Sequence, residues 1–89
     1  MDFTKNGETH HFELDLDKIC ALEEADKEYS FLQEVSDLGE NPRLSTLCRI
    51  AEVIGSDYKT LTKTYGYTMG DVVDIFIGCM SELGFQSDV

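Results

Sequence analysis

The 89-residue sequence contains no tryptophan, a single proline and few basic residues, with seven Lys and Arg against eighteen Asp and Glu. The formal net charge of −11 repels phosphate backbones and therefore disfavours ordinary nucleic-acid binding. The charge is uneven, since residues 1–40 hold twelve acids and three bases and residues 41–89 hold six and four. Such a surface suits a basic protein partner, or mimicry of nucleic acid.

The sequence also lacks the patterns that mark common reactive or ligand-binding sites. Its seven glycines are dispersed and form no phosphate-binding loop. Cys20, Cys48 and Cys79 form no C-x-x-C pair, and we interpret them as reduced thiols in apolar helices. Zinc binding by His10 and His11, an acidic calcium loop and Cys–His catalysis are alternatives that the spacing disfavours. We therefore expect no enzymatic activity, no cofactor and no metal ion.

Long hydrophobic runs are absent as well. No apolar stretch approaches the 18 or so residues of a transmembrane helix, and no signal peptide is recognisable. We therefore expect a soluble, cytoplasmic protein that does not contact membranes. The length predicts a single domain, residues 1–89, which buries roughly 60–65% of its unfolded surface. Homo-oligomerisation remains open.

The predicted fold is mostly α (α+β), with a short N-terminal β-hairpin followed by a compact bundle of four to five helices. The alternation of Phe12, Leu14 and Leu16 and the turn-forming pair Asn6-Gly7 indicate a hairpin within residues 2–15. Helix start and stop signals predict helices at about 17–25, 30–38, 42–54, 57–65 and 68–84, then a polar tail at 86–89.

The last predicted helix, residues 68–84, is the element around which we expect the others to pack. Thr68 and Asp71 predict a capping box at its start. Apolar residues at three- and four-residue steps predict one broad buried face, consisting of Met69, Val72, Val73, Phe76, Ile77, Met80 and Leu83. Ile75 and Cys79 extend this apolar character to the flanks, so we expect the helix to be covered on more than one side.

The two helices predicted at 30–38 and 42–54 have their own start signals. Ser30 with Gln33 indicates a capping box, and Asn41 with Pro42 indicates a cap followed by a first helical turn. The residues predicted to face inward are Phe31, Leu32, Val35, Leu38, Leu44, Leu47, Cys48, Ala51 and Ile54.

The segment 41–51, with the sequence NPRLSTLCRIA, is followed by Ile54-Gly55 and Leu61. In this pattern residues 39–61 resemble the later helices of phage-repressor-type helix-turn-helix proteins and their antitoxin relatives. The resemblance implies a transcriptional regulator or antitoxin. The preceding region, where that family carries groove-reading residues, is strongly acidic and has Lys27 as its one base, which opposes docking on DNA. We keep this function as an alternative.

A second pattern covers nearly the whole chain. Its elements, in order, are Asn6-Gly7-Glu8, Phe12-x-Leu14-Asp15-Leu16, Ile19-x-Ala21-Leu22-Glu23-Glu24, Arg43-Leu44-Ser45-x-Leu47 and Tyr67-Thr68. This order resembles the small tail assembly chaperones of long-tailed phages and gene transfer agents, although Met69-Gly70 replaces the Pro or Glu usual after the last cap. The resemblance implies a non-enzymatic protein of the bacterial host cytoplasm, absent from the mature virion. It would bind the tape measure protein and tail tube proteins during tail morphogenesis.

Two groups of residues are candidates for binding a partner. The densest acidic cluster, which could steer a basic client or simply be a solvated helix end, is Glu23, Glu24, Asp26 and Glu28. The aromatic candidates, for which core or turn packing is the favoured alternative, are Tyr58, Tyr65 and Tyr67. A third function compatible with the charge is an acidic nucleic-acid mimic that inhibits a DNA-binding enzyme.

Overall fold

The computed structural model describes residues 1–84, so the tail predicted at 86–89 lies outside the described residues. Within residues 1–84 there are two strands and five helical segments. The strands are β1 (Asp2–Lys5) and β2 (Glu8–His11), and the α-helices are α1 (Leu16–Ala25), α2 (Phe31–Asp37), α3 (Leu44–Val53) and α4 (Met69–Glu82). A π-helical segment, Thr60–Thr64, lies between α3 and α4. This architecture confirms the predicted mostly α-helical fold with an N-terminal hairpin.

The hairpin forms around the turn that the sequence predicts. β1 and β2 pair antiparallel, with Asp2 opposite His11. Asn6 and Gly7 both have positive φ angles, 55° and 80°, as a tight two-residue hairpin turn requires. Phe12 follows β2 into the core and is 5% exposed. The chain therefore enters the core directly after the hairpin.

Local side-chain caps begin two of the helices as predicted. The side chain of Ser30 accepts a hydrogen bond from the amide of Gln33 at the start of α2. Thr68 and Asp71 form the reciprocal capping box at the start of α4. These caps satisfy amide donors that have no partner within their own helix.

The predicted start of α3 at Asn41 and Pro42 is wrong. The helix begins at Leu44, and its N-cap, Arg43, makes no side-chain cap bond. The amide of Asn41 donates instead to the carbonyl of Asp37 at 2.8 Å, which assigns Asn41 to the turn after α2.

The segment predicted as a short helix at 57–65 is wound more loosely than an α-helix. Its π-helical part spans Thr60–Thr64, and the amide of Tyr65 donates to the carbonyl of Thr60 at 3.1 Å. Asp57 accepts from the amide of Thr60 at 2.8 Å, so it caps this segment. Leu61 points into the core and is fully buried.

The core lies mainly between α3 and α4. Phe31 of α2 closes it from the side and meets Phe76 of α4 edge-on, with ring centroids 5.6 Å apart. The buried residues of this cluster are Phe12, Phe31, Ile50, Ala51, Val53, Ile54, Leu61, Tyr67, Val72, Ile75, Phe76 and Cys79. Aromatic pairs in this geometry add to the stabilisation from apolar burial.

The predicted buried face of α4 is partly wrong. Its buried residues are Val72, Ile75, Phe76 and Cys79. Met69, Ile77 and Leu83 are instead about half exposed, at 51%, 50% and 48%. The helix is apolar around most of its circumference, so hydrophobic spacing alone fits more than one buried face. The side of α4 that carries Ile75 and Cys79 is the one that packs into the core.

Three further burial predictions are corrected. Leu32 of α2 and Leu44 of α3 are exposed, at 53% and 65%. Cys20, expected in an apolar interior, is exposed, whereas Cys79 is buried. Each of these three side chains lies on the outer face of its helix.

Candidate functional site

The acidic cluster predicted at the end of α1 is partly used to build the turn between α1 and α2. A carboxylate oxygen of Glu23 accepts from the amide of Phe31 at 3.0 Å, which satisfies a donor in the first turn of α2. Oδ1 of Asp26 accepts from the amide of Glu28 at 3.1 Å. Glu24 and Glu28 are exposed. Glu23 and Asp26 are thus turn-forming residues, while Glu24 and Glu28 add negative charge to the surface.

Tyr67 is buried, so its prediction as a contact residue is wrong. It is 4% exposed, and its ring packs edge-on against Phe3, with centroids 5.1 Å apart. Its hydroxyl is buried and has no hydrogen-bond partner among the described residues. Burial raises the pKa of this phenol. Tyr67 therefore joins the hairpin to the core.

Tyr58 and Tyr65 are half-buried. Tyr65 stacks on His10 of β2, with ring centroids 4.0 Å apart and planes inclined by 15°. Tyr58 packs against the buried core cluster. Both rings thus serve internal packing, as the alternative interpretation of the sequence expects, and each leaves one part accessible.

The structure reveals a surface that the sequence analysis did not identify. A groove of about 420 Å³ lies between α2, the loop before α3 and one side of α4. We call it the apolar groove, and its lining residues are Val35, Leu38, Gly39, Pro42, Leu47, Met69, Gly70, Val73, Asp74 and Ile77. Met69 and Ile77 are each about half exposed. Large apolar side chains exposed together are typical of protein-binding surfaces.

One wall of the apolar groove is a second apolar row on α4, distinct from the row in the core. Met69, Val73 and Ile77 follow one another at four-residue steps, so their side chains share one side of the helix. Eight residue steps from Met69 to Ile77, at a rise of 1.5 Å each, give this row a length of about 12 Å. The excess apolar character of the helix was the signal in the sequence that could have revealed this wall.

Acidic side chains accompany the apolar groove. Asp74 lines it and is exposed. Asp37 and Glu40 are next to lining residues in the sequence, but they line a separate cavity of about 370 Å³, together with Arg43. A ligand in the apolar groove would therefore meet apolar walls and the carboxylate of Asp74.

Glu34 connects α2 to α3. Its carboxylate accepts hydrogen bonds from the hydroxyl of Tyr29, from Arg49 and, at 3.1 Å, from the hydroxyl of Thr46. The guanidinium of Arg49 also lies 5.8 Å from the ring centroid of Tyr29. Arg49 belongs to the segment that resembles helix-turn-helix proteins, and here its guanidinium is partly exposed and paired with Glu34.

Comparison of the chain with protein-family models, curated proteins and solved structures finds no match. Within residues 1–84, no three His, Cys, Asp or Glu side chains are grouped so that they could hold a metal ion. In the same part of the chain, no helix has both the length and the apolar character needed to cross a membrane.

Proposed function

We propose that this chain is a non-enzymatic assembly chaperone that binds other polypeptides, and that its clients are the tape measure and tail tube proteins of a phage tail. The observation that carries the proposal is the apolar groove, a surface with half-exposed Met69 and Ile77 on a chain of net charge −11.

The groove and the charge support two different parts of this activity. Apolar walls can cover an apolar stripe of a client that would otherwise aggregate. The negative charge keeps the chaperone soluble and accelerates its encounter with a basic client. The identity of the clients comes from the sequence resemblance to tail assembly chaperones.

Co-expression with a phage tape measure protein tests the proposal. We expect the client to be soluble and to co-purify with the chain, and to aggregate when it is expressed alone. An unrelated acidic protein of similar size is the control, because it separates specific binding from a general effect of charge.

Two results would contradict the proposed function. One is a client that is equally insoluble with and without the chain. The other is tight, sequence-selective DNA binding in an electrophoretic shift at low salt, which would favour the helix-turn-helix alternative. Inhibition of a DNA-binding enzyme without any client binding would favour the nucleic-acid mimic.

A further inference from the structure

We propose that the apolar groove binds an amphipathic helix of the client whose apolar stripe is flanked by Lys and Arg. This inference rests on the proposed function and adds to it the location of the binding site and the chemistry of the bound segment.

The dimensions of the groove match one side of a helix. The row of Met69, Val73 and Ile77 is about 12 Å long, and Leu38 and Leu47 contribute to the lining beside it. A helix presents apolar side chains at the same three- and four-residue steps, so about two turns of it can lie along this row. Glycines at positions 39 and 70 contribute lining without side-chain bulk.

The negative charge at the groove favours a bound helix with basic residues beside its apolar stripe. Asp74 is the charged residue in the lining, and the chain as a whole has a net charge of −11. Lys and Arg beside the client's apolar stripe would approach the carboxylate of Asp74, and acidic flanks would be repelled. Ionic attraction to the exposed carboxylate of Asp74 falls as salt rises, because the screening length is about 8 Å at physiological ionic strength.

The same charge argues against a second copy of the chain as the occupant. A dimer through this groove would bring together two chains of net charge −11 each, and would place the Asp74 side chains of both copies near one interface. Like charges across an interface oppose association. A basic client relieves this repulsion, whereas another copy increases it.

A different surface offers a control. Leu14, Leu16, Ile19, Leu32, Phe76 and Met80 contribute to a smaller cavity of about 100 Å³. Leu32 is 53% exposed, close to the 50% of Ile77. Leu32→Asp and Ile77→Asp thus add the same charge at positions of similar exposure, but on different surfaces.

Two synthetic helical peptides with the same apolar stripe, one flanked by Lys and the other by Glu, are the probes. Fluorescence anisotropy measures their affinity for the wild-type chain and for Ile77→Asp, Leu32→Asp and Asp74→Lys. We expect the Lys peptide to bind at least tenfold more tightly than the Glu peptide, and less tightly at high salt. Ile77→Asp should lower the affinity for the Lys peptide at least tenfold, and Leu32→Asp should lower it less than twofold. Asp74→Lys, which keeps the apolar walls, should reduce the preference for the Lys peptide.

Equal affinity for the two peptides, or equal effects of Ile77→Asp and Leu32→Asp in folded variants, would overturn the inference. A concentration-dependent dimer of the wild-type chain that Ile77→Asp dissociates would also overturn it, in favour of a second copy. Capture of the tape measure protein separates the two proposals. If wild type and Ile77→Asp capture it equally, the groove assignment fails and the proposed function stands. If wild type fails to capture it, the proposed function fails.

Discussion

The ammonium group of Lys5 donates a hydrogen bond to Oδ2 of Asp71, and so joins β1 to the first turn of α4. The same oxygen accepts from the amide of Thr68 at 2.8 Å. Asp71 therefore completes a helix cap and an ion pair between residues 66 positions apart in sequence. The hairpin and the helix that forms one wall of the apolar groove are held together at this carboxylate.

Replacing Asp71 with asparagine should lower the free energy of unfolding by about 1 kcal/mol, because it removes the ion pair and weakens the cap. The hydrogen bond from Lys5, followed by that from Thr68, holds the pKa of Asp71 below its usual range. Its contribution to stability is thus complete above the unfolded pKa and is lost as pH falls through the lower folded value.

Urea unfolding between neutral and acidic pH measures this effect. The control is Asp74→Asn, three residues along the same helix at an exposed position, which should change stability by less than about 0.5 kcal/mol. Equal losses in the two variants, or an unchanged acid dependence in Asp71→Asn, would show that Asp71 does not have this role.

Glu34 should stabilise the packing of α2 against α3. Glu34→Ala leaves Arg49 and the buried hydroxyl of Thr46 without their shared acceptor, so we expect a loss of about 2–3 kcal/mol in unfolding free energy. Asp37→Asn in the same helix alters an exposed side chain and is the control. Denaturant unfolding that finds the two variants equally stable would contradict this role.

Tyr29 reports on the same network through its own titration. Burial, and secondly the hydrogen bond to Glu34, raise the pKa of Tyr29 to about 12. Its contribution to stability is therefore present below the unfolded pKa near 10 and is lost as pH rises through the folded value. Glu34→Gln should lower the pKa of Tyr29 but leave it raised, because burial is the larger cause. An NMR titration of the Tyr29 ring checks this, and an unchanged pKa would exclude electrostatic contact with Glu34.

His11 should make the hairpin sensitive to pH near neutrality. Nδ1 lies 2.6 Å from Oδ1 of Asp2, and Nε2 lies 3.1 Å from Oε1 of Glu13. The hydrogen bond to Asp2, followed by that to Glu13, raises the pKa of His11. Its contribution is present below the unfolded pKa and is lost as pH rises through the higher folded one. The His11 ring signals should titrate at lower pH in Asp2→Asn, and an identical titration in both proteins would rule out the pairing.

The three thiols should react in the order of their exposure. Cys20 is exposed, Cys48 is partly exposed and Cys79 is buried. Burial, the main cause, raises the pKa of the Cys79 thiol, and thiolates are the reactive form. We expect an aromatic disulfide reagent to modify Cys20 first and Cys79 only on unfolding. Early modification of Cys79, identified by peptide mass, would contradict the packing of α4.

The hairpin turn and the cap of α4 are predictable from the sequence, whereas the side of α4 that is buried is not. Asn6-Gly7 forms the predicted turn, and Thr68 with Asp71 forms the predicted cap, because each depends on residues close in the chain. The outward position of Ile77 depends on which side of α4 meets α3. Hydrophobic spacing leaves that choice open when a helix is apolar on several sides.

The candidate binding surface was missed for the same reason. Met69 and Ile77 fit a helical repeat that predicts burial, but their exposure follows from tertiary packing. The sequence predicts Glu23 as one of the surface acids, yet its carboxylate accepts a hydrogen bond from the amide of Phe31 across the turn between α1 and α2. Sequence spacing does not encode such contacts between elements.

Methyl NMR of the chain during titration with a soluble fragment of the tape measure protein tests the central claim most directly. The account predicts that the methyl signals of Met69, Val73 and Ile77 shift together, while those of Leu16 and Leu32 stay near their starting positions. Shifts confined to the methyl signals of Leu16 and Leu32 would contradict polypeptide binding in the apolar groove. So would the absence of any shift when the fragment is present in large excess over the chain.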